Sequence, residues 1–265
     1  MDFSHLRGVV MDVDGVLWAG DSALPGADRF IAFLQARGIP CALATNNSNK
    51  SPADYQAKLA ALGIAQLDER MIVTSGRASA MYLAHHYPAG TPVHVLGGDG
   101  LRLLVQQAGM TLTDALPCRV VIVGIDFTLS YDKLRRADSL LRQGADFIGT
   151  NADASFPMSD GPAPGAGSIL ALLRTSTGRE PVVIGKPSRA MYEAALEITG
   201  TPATHTLMVG DRLDTDIAGA QALGMPGALV LTGVTTRAAA DRDAVQADGI
   251  FDTLDALIAA WKAQG

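Results

Sequence analysis

Short apolar runs recur along the chain, and most are followed by a stretch in which apolar residues return every three or four positions. Gly8-Val9-Val10-Met11 predicts a first strand, and Ala27 to Arg37 predicts the helix after it. Ile39 to Ala44 predicts a second strand, closed by Thr45-Asn46-Asn47-Ser48. Ser51-Pro52 then opens a helix with a capping hydroxyl and a proline at the first helical position. Further strands are expected at Ile72 to Ser75, Val93 to Leu96, Val120 to Val123, Phe147-Ile148, Val182 to Ile184, Thr206 to Val209 and Ala228 to Leu231, with a weaker one at Ile250-Phe251. Strand and helix alternating from end to end predict an α/β protein with a doubly wound, mainly parallel sheet.

These strands are too many for one compact sheet, so two lobes are expected. A core is assigned to residues 1–80 and 181–265, and an inserted α/β domain to 81–180. Ser155 to Gly167, with three prolines and three glycines, reads as a long irregular loop. Leu257, Ile258 and Trp261 form the apolar face of a terminal helix that docks on the core.

Four clusters can carry chemistry, each directly after an apolar run. Asp12-Val13-Asp14 follows the first strand; side chains two apart on extended chain point the same way, so both acids can face one site. Open α/β sheets bind ligands at the carboxyl ends of their strands, where these acids fall. Gly210-Asp211-Arg212-Leu213-Asp214-Thr215-Asp216 supplies further acids to the same edge. Two unit charges 4 Å apart repel by about 4 kcal/mol at an effective dielectric of 20, so converging carboxylates call for a cation, and oxygen-only ligands favour magnesium. Thr45-Asn46-Asn47 offers hydroxyl and amide donors suited to phosphate, and Lys186 offers a positive charge. Taken singly, each cluster has an ordinary structural reading: an Asp-Gly turn, an acid-dressed helix start, a polar turn, a surface lysine.

Charge narrows the partners. With 21 Lys and Arg against 27 Asp and Glu the formal charge is −6, which disfavours the clustered Lys and Arg surface that holds a nucleic-acid backbone. The apolar runs are too short to cross a bilayer, and Met1-Asp2-Phe3-Ser4 starts no basic-then-apolar leader, so a cytoplasmic location without membrane association is expected. Cys41 and Cys118 lack the paired spacing of a zinc site or disulfide. Gly97-Gly98-Asp99-Gly100 lacks the glycine spacing of a dinucleotide loop. Trp18, just past the acid pair, reads as packing, with a place at the pocket mouth as the alternative.

The order of the four clusters resembles the four sequence motifs of the haloacid dehalogenase superfamily. It is most similar to the NagD-like and para-nitrophenyl phosphatase-like branch, through Asn151-Ala152-Asp153, Pro164-Gly165-Ala166-Gly167, Gly185-Lys186-Pro187 and Gly210-Asp211-Arg212-Leu213 as well. That resemblance implies a Rossmann-like core with an inserted α/β cap that closes over the pocket, and a Mg2+-dependent phosphatase acting on a small phosphorylated metabolite. It assigns Asp12 as the nucleophile that forms an aspartyl-phosphate and Asp14 as general acid and base. It places magnesium on the Asp12 side chain, the Asp14 backbone carbonyl and Asp211, with Asp216 orienting water around the metal. Thr45, Asn46 and Asn47 surround the phosphate, and Lys186 offsets charge on Asp12 and phosphate. Asn151, Asp153 and Phe156 fall where the cap of this branch selects substrates, and a homodimer through the cap is among the assemblies the branch suggests. A phosphotransferase or mutase with the same Asp12 chemistry is the alternative, followed by a non-catalytic binding protein of the same fold.

Overall fold

The computed structural model describes residues 1–48, 50–64, 67–158 and 161–264. Two compact units are present: Met1–Thr45, Pro52–Val73 and Lys186–Gly265 form the first, and Asn46–Ser51 with Thr74–Gly185 the second.

The first unit is built on a six-stranded sheet in the order Gly249–Phe251, Gly227–Val230, Thr206–Gly210, Gly8–Met11, Cys41–Thr45, Ile72–Thr74. Its central strands are buried at every position, which is why they read in the sequence as unbroken apolar runs rather than as alternations. Gly8–Met11 pairs in parallel with Cys41–Thr45 on one side and Thr206–Gly210 on the other, Met11 lying opposite both Leu43 and Val209. The chain thus winds outward from Gly8–Met11 in one direction and later returns to its other flank. The order reverses at this strand, and such a reversal opens a crevice beyond the strand ends. Helix Leu254–Lys262 buries Leu257, Ile258 and Trp261, and the Trp261 ring stacks on Phe3 with centroids 4.9 Å apart.

The second unit has its own five-stranded sheet in the order Val182–Val183, Asp146–Gly149, Val120–Val123, Pro92–Leu96, Thr111–Leu112, parallel throughout. Helices Tyr131–Arg142 and Ala166–Thr177 supply Leu140, Leu141, Leu170 and Leu173 to its core beside Val121, Val123 and Phe147. Among the described residues no helix is long and apolar enough to cross a membrane.

Three sequence expectations need correction. Val182–Val183 is not the first strand of the returning core segment: it pairs with Ile148 and Gly149, so the second unit runs on to Gly185. The other boundary also differs from residue 81, which lies inside helix Ser75–His86; this helix packs on Asp99–Gln107, with Leu101 and Leu104 side chains against Gly76. Short apolar strands carry no mark of which sheet they will join, and only the partner's register decides it.

The described residues between Ser155 and Gly167 form regular elements instead of an irregular loop: Ser155–Met158 and Gly161–Pro164 pair antiparallel, and helix Ala166–Thr177 begins directly after. Pro157 lies opposite Pro162, and Pro164 opposite Ser155. Hydrogen-bonded and non-bonded pairs alternate along an antiparallel ladder, so all three prolines share the non-bonded set and their missing N–H groups cost the ladder nothing.

Candidate active site

Asp12 follows the switch-point strand and Asp211 follows its neighbour Thr206–Gly210, so parallel register alone brings both acids to one sheet edge. Lys186 arrives differently. It stands ahead of helix Arg189–Thr199, which packs on strands Gly8–Met11 and Cys41–Thr45. Its Nζ lies 2.6 Å from Asp12 Oδ1 and 2.7 Å from Asp216 Oδ1, with the lysine side chain 4% exposed. Asp216 Oδ2 accepts the Arg212 backbone N–H at 3.1 Å, so both oxygens of Asp216 are engaged.

Asp211 is arranged otherwise. Its Oδ2 accepts the Val234 N–H at 2.6 Å, while its Oδ1 is buried and has no hydrogen-bond partner among the described residues. Oxygens of Asp12, Asp211 and Asp216 lie within 4.8 Å of one another. Among the described residues three carboxylates face the one ammonium of Lys186, which leaves two negative charges in a nearly dry pocket that a divalent cation would balance. The orphaned Asp211 oxygen gives such a cation a ready ligand, and an all-oxygen donor set suits magnesium.

The electrostatics carry the mark of this crowding. Burial pushes the Asp211 carboxyl up to about 6, against the opposing Val234 N–H. Burial likewise lifts Asp216 to about 6, although Lys186 favours its charged form. Asp12 is also raised by burial, with Lys186 working against the rise. Burial would push the Lys186 ammonium down, but Asp12 and Asp216 override it and hold it above the usual lysine range.

A loop not singled out in the sequence completes the centre. Thr232 to Thr235 follows strand Gly227–Val230: Thr232 Oγ1 donates to the Gly15 carbonyl at 2.6 Å, and the Thr235 N–H donates to the Asp211 carbonyl at 3.1 Å. Gly15 has φ +83°, and a Cβ there would stand 2.5 Å from Asp211 Oδ2; a Cβ on Gly233 would stand 2.0 Å from the same atom. Both glycines are required by their close approach to the Asp211 carboxylate. The available signal was position, a Thr-Gly pair at the carboxyl end of a strand already recognised, but nothing in its composition distinguishes it from any turn.

Asp14 is exposed at the same edge, and its Oδ1 accepts the Trp18 Nε1–H at 2.9 Å. Thr45 ends its strand buried, within the first unit. The remaining expected residues belong to the second unit. There, the Asn46 amide donates to Asp153 Oδ1 at 3.2 Å, while the Asn46 carbonyl accepts from Asn151 Nδ2 at 2.8 Å and Ser75 Oγ at 2.6 Å. Ser75 was not anticipated. Asn47 is half-buried beside Asn46, and Phe156 is half-buried with its ring edge-on to the exposed Phe127 at 5.7 Å. Gly165 and Gly167 explain how Asn151 to Asp153 are seated, since a Cβ on either would meet a backbone oxygen of that segment at 2.2 Å.

Fold and site together define a Rossmann-like hydrolase with an acidic, lysine-bearing centre at the topological switch point. Residues 9–111 match the haloacid dehalogenase-like hydrolase family, and residues 183–257 match the related HAD-hydrolase-like family. An acid sugar phosphatase of Staphylococcus saprophyticus is 38% identical over 255 residues, 96% of this chain and 97% of the relative. NagD from Escherichia coli K-12 superposes with a TM-score of 0.88 at 30% identity, covering 94% of this chain and 97% of that one. A glycerol phosphate phosphatase from Mycobacterium tuberculosis, solved with magnesium, gives 0.87 at 32% identity, covering 96% of this chain and 76% of that one. The chain belongs to the haloacid dehalogenase superfamily, in its NagD-like branch of phosphatases.

Proposed function

We propose that this protein is a Mg2+-dependent phosphatase that hydrolyses a small phosphate monoester through an aspartyl-phosphate on Asp12. The observation that carries the reading is the buried Asp12–Lys186–Asp216 chain beside the unpartnered Asp211 oxygen. Asp12 and Asp211 side chains and the Asp14 carbonyl would hold the cation, which would supply charge neutralisation where carboxylate and phosphate must approach. Lys186 keeps Asp12 oriented and lowers the cost of bringing a phosphate dianion against it. An Asp12 oxygen attacks phosphorus, the bond to the alcohol oxygen breaks, and Asp14 gives that oxygen its proton. Water then attacks the same phosphorus, the bond to Asp12 breaks, and Asp14 takes the water's proton. Thr45 and Asn46 donate to the phosphoryl oxygens, and Asn151, Asp153 and Phe156 select the alcohol. The names of the relatives favour sugar or polyol phosphates as its substrate class.

The test is phosphate release from para-nitrophenyl phosphate and a panel of sugar, polyol and nucleoside monophosphates, with magnesium and with chelator. Release that requires magnesium is expected. Transfer to added sugar acceptors in place of release identifies a phosphotransferase, and metal-independent release overturns the assignment.

A second prediction concerns stability. In the metal-free protein Asp211 and Asp216, at about 6 against the usual 3.8, bind protons more tightly folded than unfolded. The stability they contribute is complete below about pH 4 and is lost as pH rises through about 6. Magnesium is therefore expected to raise the melting temperature strongly at about pH 8, by about 2.7 kcal/mol of stability at a hundredfold excess over its Kd, and much less at about pH 5, where protons compete for the same oxygens. Thermal melts with and without magnesium at both pH values check this; equal stabilisation at both counts against Asp211 as a ligand of the cation.

A further inference from the structure

Among the described residues Trp18 is the largest fully buried side chain, at 1% exposure. Its ring lies on Tyr55, with centroids 6.0 Å apart and planes 22° from parallel, and the Lys58 ammonium sits 4.6 Å from its centroid. Its backbone is fixed as tightly: the Trp18 carbonyl accepts the Gly15 N–H at 2.8 Å, and a β-bridge joins Trp18 to Asp14. Packing accounts for a buried ring, but it does not account for where the one polar atom points. The indole N–H, a donor with no other use, is aimed at Asp14 Oδ1 at 2.9 Å. Asp14 is exposed, and its Oδ2 makes no hydrogen bond among the described residues. An exposed carboxylate ordinarily samples several rotamers. Here one oxygen is tied to a rigid ring and the other is left for the substrate.

We infer that Trp18 is a positioning residue for proton transfer. It holds Asp14 so that Oδ2 meets the leaving oxygen, and it thereby sets how well the enzyme handles alcohols that cannot depart without a proton. This rests on the reading of Asp14 as general acid. An alkoxide needs its proton in the transition state, whereas nitrophenolate departs with little help. Loss of the indole N–H therefore weakens catalysis selectively: hydrolysis of alkyl phosphates suffers, and that of aryl phosphates is largely spared. A residue that merely fills space affects both alike.

The experiment measures kcat/KM, which reports steps up to alcohol release, for glycerol phosphate and para-nitrophenyl phosphate in the magnesium-loaded wild type, Trp18→Phe and Asp14→Asn. Trp18→Phe is expected to lower the alkyl-to-aryl ratio about tenfold with little change in KM, and Asp14→Asn to lower it further, within the roughly 10²–10⁴-fold range of general acid catalysis. Because phenylalanine leaves a gap, benzothienylalanine at position 18, which keeps the bicyclic ring and replaces N–H by sulfur, is measured alongside and is expected to match it. If the ratio is unchanged in both position-18 variants while Asp14→Asn lowers it, Trp18 is packing only and the Asp14 assignment stands. If Asp14→Asn leaves the ratio unchanged, the general-acid reading fails and this inference falls with it.

Discussion

Replacing Asp12 by asparagine is expected to abolish turnover, by a factor on the order of 10⁴ or more, while leaving the protein folded. The amide matches the carboxylate in shape but is far too weak a nucleophile to open a phosphate ester. Folding should tolerate it because Asp12 is a costly residue to bury: its carboxyl is pushed upward by burial, so the neutral replacement escapes a desolvation penalty. The loss is confined in part by what remains, since Lys186 keeps its second partner, Asp216, at 2.7 Å. Phosphate release together with a thermal melt checks both halves of the expectation. Retained activity in Asp12→Asn removes Asp12 as nucleophile, and a collapsed melt assigns it a structural role.

Lys186→Met is expected to damage both catalysis and stability. The ammonium is the shared partner of Asp12 and Asp216, and methionine preserves its length and buries well without a charge. Removing one member of a buried ionic cluster typically costs about 3–5 kcal/mol because the survivors are left charged and dry. Activity should fall by about 10²–10³-fold, the usual effect of losing one charge-stabilising donor from such a site. The stability loss has a signature. Without the lysine, Asp12 and Asp216 lose the interaction that opposes their upward shift, so in chelator the variant should be weakest at about pH 8 and recover towards about pH 5 as they take up protons. Melts of the variant and wild type across this range decide the matter; a deficit that does not change with pH shows that lost packing, not unpaired charge, is responsible.

Much of the fold was legible because its cause is local. Fully buried parallel strands must be continuous apolar runs, so Gly8–Met11, Val120–Val123 and Thr206–Gly210 stand out in the sequence. The acids of the centre were legible for the same reason: Asp12 and Asp211 each terminate such a run, and a strand's carboxyl end is where an open α/β sheet presents its chemistry. Lys186 was found through its motif, but the strand before it was given to the wrong sheet, since Val182 and Val183 look the same whichever neighbour they pair with. The pairing of Ser155–Met158 with Gly161–Pro164 was missed because proline and glycine signal a break, and only the pairing register shows that the prolines avoid the bonded positions.

The amino-acid order by itself therefore determined the fold class, the sheet edge that carries the chemistry, and the residue types gathered there, because periodicity and strand ends are properties of neighbouring residues. The tertiary structure alone decided the rest. It placed Lys186 between Asp12 and Asp216, left one Asp211 oxygen unsatisfied, closed the Thr232–Thr235 loop over Gly15, and turned the Trp18 indole N–H onto Asp14. Most of these contacts join positions distant along the chain, and all depend on how backbone and rings are packed. The direction of a single N–H or the burial of a single oxygen is set by that packing, not by any pattern that a linear sequence displays.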